Sequence, residues 1–147
     1  RSALEPWGVP TYVHKDGLRR VDSDHGRLCR ALAEGDAEEV SRLYREPFAG
    51  GLALGAVEEH AAWLRGRVLG CLTSAAASAS DADAAAYLER ALEVDPLNEE
   101  TLRDLLVRLR SSGCTQAARR RLADFVARLR AETGLDPLPE TLAVLEA

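Results

Sequence analysis

A chain of 147 residues with 46% hydrophobic content is about one domain long and can bury a sizeable core. Its net charge of −5 argues against a nucleic-acid binder that uses its whole surface, and no apolar run is long enough for a membrane span. Three cysteines, Cys29, Cys71 and Cys114, are far apart and lack any C-x-x-C pair, so neither a disulfide framework nor a zinc site is signalled and a reducing cytoplasm is expected.

Aromatics make up 5% of the chain and Met is absent. A core of aliphatic stripes with close approaches at alanine, and hence an all-α fold, is the expectation. The first residues, up to Asp22, lack the helical pattern. Thr11, Tyr12 and Val13 are strand formers, Asp16-Gly17 is a turn signal, and Leu18 to Val21 can return as the partner strand. A lone hairpin is marginal in water, so this one reads as the end of a larger unit cut at Arg1.

Helical grammar begins at Asp24. Leu28, Ala31 and Leu32 form a short stripe that stops at Gly35, and Asp36 with Glu39 resembles a capping box opening a helix with Val40, Leu43 and Tyr44 inward. Glu46 to Gly55 is a turn-rich connection in which Phe48 and Leu52 are expected to anchor on the core. The longest helix should follow, since Val57, Ala61, Leu64, Val68, Cys71 and Leu72 keep helical spacing. Gly66 and Gly70 weaken it or admit a close neighbour. Ser74 to Ser80 is a small-residue tract that ends the helix or loops out, after which Ser80 or Asp81 caps a helix carrying Leu88, Ala91 and Leu92.

Asp95-Pro96 then reads as a helix start for the stripe Leu102, Leu105, Leu106 and Leu109, which Gly113 closes as a left-handed cap. Thr115 caps the next helix, with Ala118, Leu122, Phe125, Val126 and Leu129 inward and Gly134 at its end. Asp136-Pro137 restarts the cycle, and Leu138, Leu142 and Leu145 give a short terminal helix to cover the open end of the stack. From Pro96 to Pro137 is 41 residues, longer than the roughly 34 of a tetratricopeptide repeat but with the same grammar. The architecture expected is stacked antiparallel helical hairpins, tetratricopeptide-like, over residues 23–147.

The order of motifs resembles the bacterial transcriptional activator domain of SARP-type regulators over about residues 22 to 147. The resemblance is carried by Val21-Asp22, by Tyr44-Arg45-Glu46-Pro47-Phe48-Ala49-Gly50-Gly51, by Trp63-Leu64, and most strongly by Leu92 to Glu100 and Gly134 to Thr141. It implies a tetratricopeptide-like domain that follows a winged-helix DNA-binding domain, with residues 1–22 as the tail of that domain and Tyr12 to Val21 as its wing. A regulatory, protein-interaction role in a transcription activator is thereby implied, with a protein partner or self-association, and with DNA bound only through the upstream domain. The alternative is a stand-alone adaptor or sensor module that binds a peptide or small ligand.

No catalytic constellation, P-loop or dinucleotide fingerprint occurs, and His14, His25 and His60 have no partner at metal-ligand spacing, so no enzyme activity, metal, cofactor or membrane association is expected. In stacked hairpins the first helix of each pair lines a concave face. Off the core stripe those helices carry Arg27 and Arg30, then His60, Trp63 and Arg67, then Arg103, Val107 and Arg110, a candidate groove for an acidic segment with an apolar anchor. Trp63 itself is expected mainly in the core or in interhelix packing, rather than as a partner anchor. Arg119, Arg120 and Arg121 form a candidate phosphate-facing patch within a stretch, Arg103 to Arg130, that holds eight Arg against Asp104 and Asp124.

Overall fold

The computed structural model describes residues 13–14, 17–18, 23–45 and 55–146. Its helices are α1 (Asp24–Glu34), α2 (Ala37–Leu43), α3 (Gly55–Ser78), α4 (Asp81–Val94), α5 (Glu99–Ser111), α6 (Thr115–Thr133) and α7 (Pro139–Ala143). Consecutive helices pack on one another, most extensively α3 with α4 and α4 with α5, while α7 packs on α5. The all-α fold and the hairpins α1–α2, α3–α4 and α5–α6 are those that the stripes imply.

At the other end, β1 (Val13–His14) and β2 (Gly17–Leu18) pair antiparallel, with Val13 opposite Leu18 and His14 opposite Gly17. Gly17 therefore sits in the ladder and not at the tip of an Asp16-Gly17 turn. A ladder of two residues a side does not establish a hairpin left over from a winged-helix domain, and the rest of Thr11 to Val21 lies outside the described residues. So do Phe48 and Leu52, the expected loop anchors.

Helix ends follow the expected chemistry, in places at a shifted register. The Ser23 hydroxyl accepts from the Gly26 amide at 3.1 Å and the Ser80 hydroxyl from Asp83 at 3.4 Å, each satisfying an orphan donor of a first turn. Gly35 and Gly134 close α1 and α6 at φ 72°, and Gly113 sits at φ 75° between α5 and α6, a region that disfavours any Cβ. Half of the capping box at α2 forms: Asp36 Oδ1 accepts from the Glu39 amide at 3.0 Å, but the Glu39 carboxylate turns to Arg27 and Arg42. Asp95 does not start α5. It ends α4, and Asn98 is the cap, with its Oδ1 accepting from Thr101 N at 2.9 Å. Thr115 is the first helical residue of α6, behind Cys114, which makes no side-chain cap bond. The tract from Ser74 does not loop out, because α3 runs on to Ser78 with Thr73 and Ser78 hydroxyls bonded back to the Leu69 and Ala75 carbonyls.

Two clusters make the core. Leu28, Ala31, Leu32, Val40 and Tyr44 meet Leu64, Val68, Leu72 and Ala91 in one, and burial raises the Tyr44 phenol above its ordinary range. Ala76, Ala84, Leu88 and Leu92 meet Leu102, Leu105, Leu106, Ala118, Phe125 and Leu129 in the other. α4 contributes to both, with Ala91 on one side and Ala84, Leu88 and Leu92 on the other. Tyr87 packs against both clusters from the same helix.

The terminal helix departs from the expected stripe. Leu138 and Leu142 are 51% and 42% exposed, and the residue that faces inward is Thr141, fully buried, followed by half-buried Val144. The reason is polar: the Thr141 hydroxyl donates to Glu99 Oε2 at 2.6 Å and accepts from Arg103 Nη1 at 3.2 Å, while the Leu138 amide donates to the same Glu99 oxygen at 2.9 Å.

Phe125 is 5% exposed in the second cluster, the only aromatic among that cluster's buried residues. Phe125→Ala should destabilise the chain by about 3 to 5 kcal/mol, because the cavity cannot collapse fully between α4, α5 and α6. Urea unfolding followed by circular dichroism checks this, and an unchanged midpoint would contradict the packing.

Candidate interaction surface

Two open grooves flank α3. One, of about 570 Å³, lies against α1 and is lined by Leu32 and Gly35 on one side and by Gly66, Arg67, Gly70, Cys71 and Ser74 on the other. The second, of about 270 Å³, lies against α5 and is lined by Thr73, Ala76 and Ala77 across from Asp104, Val107 and Arg108. The first helices of the three hairpins thus share one grooved face, with α3 in the middle. The spacing of the sequence built it: Leu64, Val68 and Leu72 point into the core, which leaves Gly66, Gly70 and Ser74 at i, i+4 and i+8 on the exposed side. A Cβ added at Gly66 or Gly70 would meet nothing within 4 Å, so no close neighbour explains either glycine. Cys71 at the groove wall has its thiol pushed up by burial first and by Asp36 second, against a smaller opposing pull from Arg67.

Of the residues proposed for a groove, His60, Trp63, Arg67 and Val107 lie on or beside this face. The His60 ring stacks on Trp63, with centroids 5.3 Å apart, and meets His25 of α1 edge-on at 5.1 Å. Trp63 is 52% exposed, contrary to the expectation of core or interhelix packing: its neighbour Leu64, fully buried, takes the core position and rotates the indole outward. Val107, 48% exposed, is an apolar point on the α5 side. Arg30 is exposed on α1.

Arg27, Arg103 and Arg110 are bonded within the fold. Arg27 donates from Nη2 to Glu39 Oε1 of α2 at 3.1 Å. Arg42 first, and Arg27 after it, hold the Glu39 carboxyl below its usual range. Arg103 bonds Thr141, and Arg110 Nη1 donates to the Val144 carbonyl, so both tie α7 down. The phosphate-facing triplet divides as well: Arg119 and Arg120 are exposed, but Arg121 makes a bidentate pair with Glu89 of α4, its Nε 2.9 Å from Oε2.

Sequence reasoning missed His25 and Cys29, one turn apart on α1, where Cys29 Sγ lies 3.6 Å from His25 Nε2. The i, i+4 spacing was the available signal. It also missed Arg108, which bonds Asp81 at the start of α4 across 2.8 Å and borders the second groove. Among the described residues no three His, Cys, Asp or Glu side chains come together in a way that could hold a metal ion, and no helix is long and apolar enough to cross a membrane.

Two substitutions test this geometry. Gly70→Ala should stabilise the chain by about 0.5 to 1 kcal/mol, since the site is open and helical glycine costs backbone entropy. A loss of thermal stability would mean that the space is occupied. Thr141→Val keeps the volume but leaves Glu99 and Arg103 each short of a partner, and should cost about 1 to 2 kcal/mol. Faster hydrogen exchange at the Leu138 and Leu142 amides would accompany that loss, and unchanged exchange would show that apolar packing alone holds α7.

Against this geometry, the family model described as bacterial transcriptional activator domain matches residues 14–147. No curated protein and no solved structure matches the chain.

Proposed function

The chain belongs to the bacterial transcriptional activator domain family, a regulatory family and not one of enzymes, and from that membership we propose a role for the whole helical stack. It is the protein-interaction part of a cytoplasmic transcription activator, and it couples a DNA-binding domain to self-association or to a protein partner. Residues 1–22 close a winged-helix domain that binds the promoter, and residues 23–147 form the regulatory unit. The family match begins at residue 14, within the first of these segments.

The observation that supports the interaction role best is the grooved face of α1, α3 and α5, where two uncrowded glycines leave space in an exposed helix and Trp63, Arg67 and Val107 stand beside it. Such a face suits an extended or helical partner segment with an apolar anchor for Trp63 and Val107 and an acidic group for Arg67. Family membership favours this reading over a stand-alone adaptor or sensor, which would use the same face without a DNA link.

If DNA recognition belongs to the upstream domain, residues 1–147 alone should bind DNA weakly, equally well for the promoter of its own gene and for a scrambled duplex, and less as salt rises. Anisotropy titrations of both duplexes at about 150 mM salt and above decide. A clear preference for the promoter would overturn the division of labour.

A further inference from the structure

α6 carries two apolar faces. Ala118, Phe125 and Leu129 point into the core, while Leu122 and Val126 with Ala123 and Ala127 run along an open strip whose far wall is Leu142 and Leu145 of the C-terminal segment. The strip encloses about 430 Å³ and begins and ends with a cation, Arg119 and Arg130. These lie eleven residues apart on one helix, about 16 Å at the rise of an α-helix, or three turns.

Nothing in the chain fills it among the described residues. α7 is five residues long and packs on α5, held by Glu99, Arg103 and Arg110, so its one leucine, Leu142, faces away from that contact and stays 42% exposed. α6 is the last full helix among the described residues, and its outer face has the position that the first helix of a further hairpin would pack on. Two alanines on the floor allow such a helix to come close. Two arginines set its charge: Arg119 makes no ion pair among the described residues, and Arg130 makes only an exposed one with Asp136, at 2.7 Å, which is worth little in water and can be exchanged. The same face of a second copy would bring like charges together, so a two-fold pairing of this surface is disfavoured.

We propose that the strip between α6 and the C-terminal segment docks a three-turn amphipathic helix of a protein partner, with acidic residues at both ends and an apolar stripe between them. It rests on the reading of the chain as an interaction domain and names a second surface of it, on the opposite side of the α5–α6 hairpin's core stripe from α4. The partner helix continues the stack as an added repeat would. Its carboxylates pair with Arg119 and Arg130, and its apolar stripe covers Val126 and Leu142.

The probe is a fluorescein-labelled, 14-residue helical peptide with an apolar i, i+3, i+4, i+7 stripe and glutamates eleven residues apart, compared with the same peptide bearing lysines there. Against residues 1–147 the glutamate peptide should bind saturably at concentrations up to about 1 mM, and the lysine peptide at least about tenfold more weakly. Val126→Asp should abolish binding while helix content by circular dichroism is unchanged. Arg119→Glu with Arg130→Glu should invert the preference of the two peptides. The proposal is overturned if neither peptide binds, if both bind equally, if Val126→Asp or the charge-swapped chain binds as the parent does, or if sedimentation shows a dimer that Val126→Asp dissolves, in which case a second copy is the occupant. These outcomes are independent of the promoter titration: a silent strip leaves DNA recognition with the upstream domain, and a promoter preference leaves the peptide isotherms unchanged.

Discussion

The constraint on which the rest depends is that one helix must be buried on both sides. α4 keeps a solvated edge at Ala82, Ala86 and Glu93 but is buried on two sides, with Ala91 in one cluster and Ala84, Leu88 and Leu92 in the other. Helix packing at such small residues brings backbones near, and a bulkier side chain at Ala84 or Ala91, both fully buried, would push one of the two clusters away. The first and third hairpins do not share a core of their own. Their relative position is set through α4 and its partner α3, so the grooved face on α3 is only as well defined as that central hairpin. The proposed interaction face and the shared core thus depend on the same central hairpin.

The end of the stack is held differently. Where α4 is fixed by apolar area, α7 is fixed by hydrogen bonds: a buried Thr141 hydroxyl, one Glu99 oxygen that accepts from two donors, and two arginines of α5. Five residues cannot bury enough apolar surface to offset their own ordering entropy, so directional contacts with charged partners carry the load. This choice has a consequence for the surface. Turning Thr141 inward rotates its helix neighbour Leu142 outward, and together with Leu138 at the extended cap position it leaves an exposed apolar ridge that a purely hydrophobic cap would have hidden.

That contrast also explains what was legible in the sequence. The inward stripes of α1 to α6 were readable because period 3.6 records burial directly, and the glycines at 35, 113 and 134 were readable because only a positive φ demands them. The Asp-Pro pairs were misplaced as helix starts: Asp95 ends α4 three residues before the true cap, Asn98, since any of Asp, Asn, Ser or Thr in a short link can accept the orphan amide and the sequence does not rank them. In α7 the leucine stripe misled because leucine at i and i+4 looks the same whether a partner covers it or not. Trp63 failed for a related reason, as one adjacent leucine had the better phase. For the candidate site, the composition of the first-helix faces was visible, but which arginines remained free was not, because pairing depends on residues 12 to 38 positions away.

Pairing within the fold limits the attraction that the basic third hairpin can exert on phosphates. Eight arginines lie between Arg103 and Arg130, which from composition alone looks like a field for phosphates. Six of them are engaged within the fold: Arg103 with Thr141, Arg108 with Asp81, Arg110 with the Val144 carbonyl, Arg121 with Glu89, Arg128 with Glu132 and Arg130 with Asp136. Four of these partners are carboxylates, Asp81 and Glu89 of α4, Glu132 near the end of α6 and Asp136 just after it, and they offset four of the eight positive charges. Arg119 and Arg120 are left, on the turn of α6 beside the open strip. Two adjacent exposed cations give only a shallow, salt-sensitive attraction to a nucleic-acid backbone, whereas Arg119 and Arg130, whose exposed pair with Asp136 can be exchanged, stand at the two ends of the apolar strip. This arrangement of charge fits the proposed docking of a protein helix better than it fits a phosphate backbone.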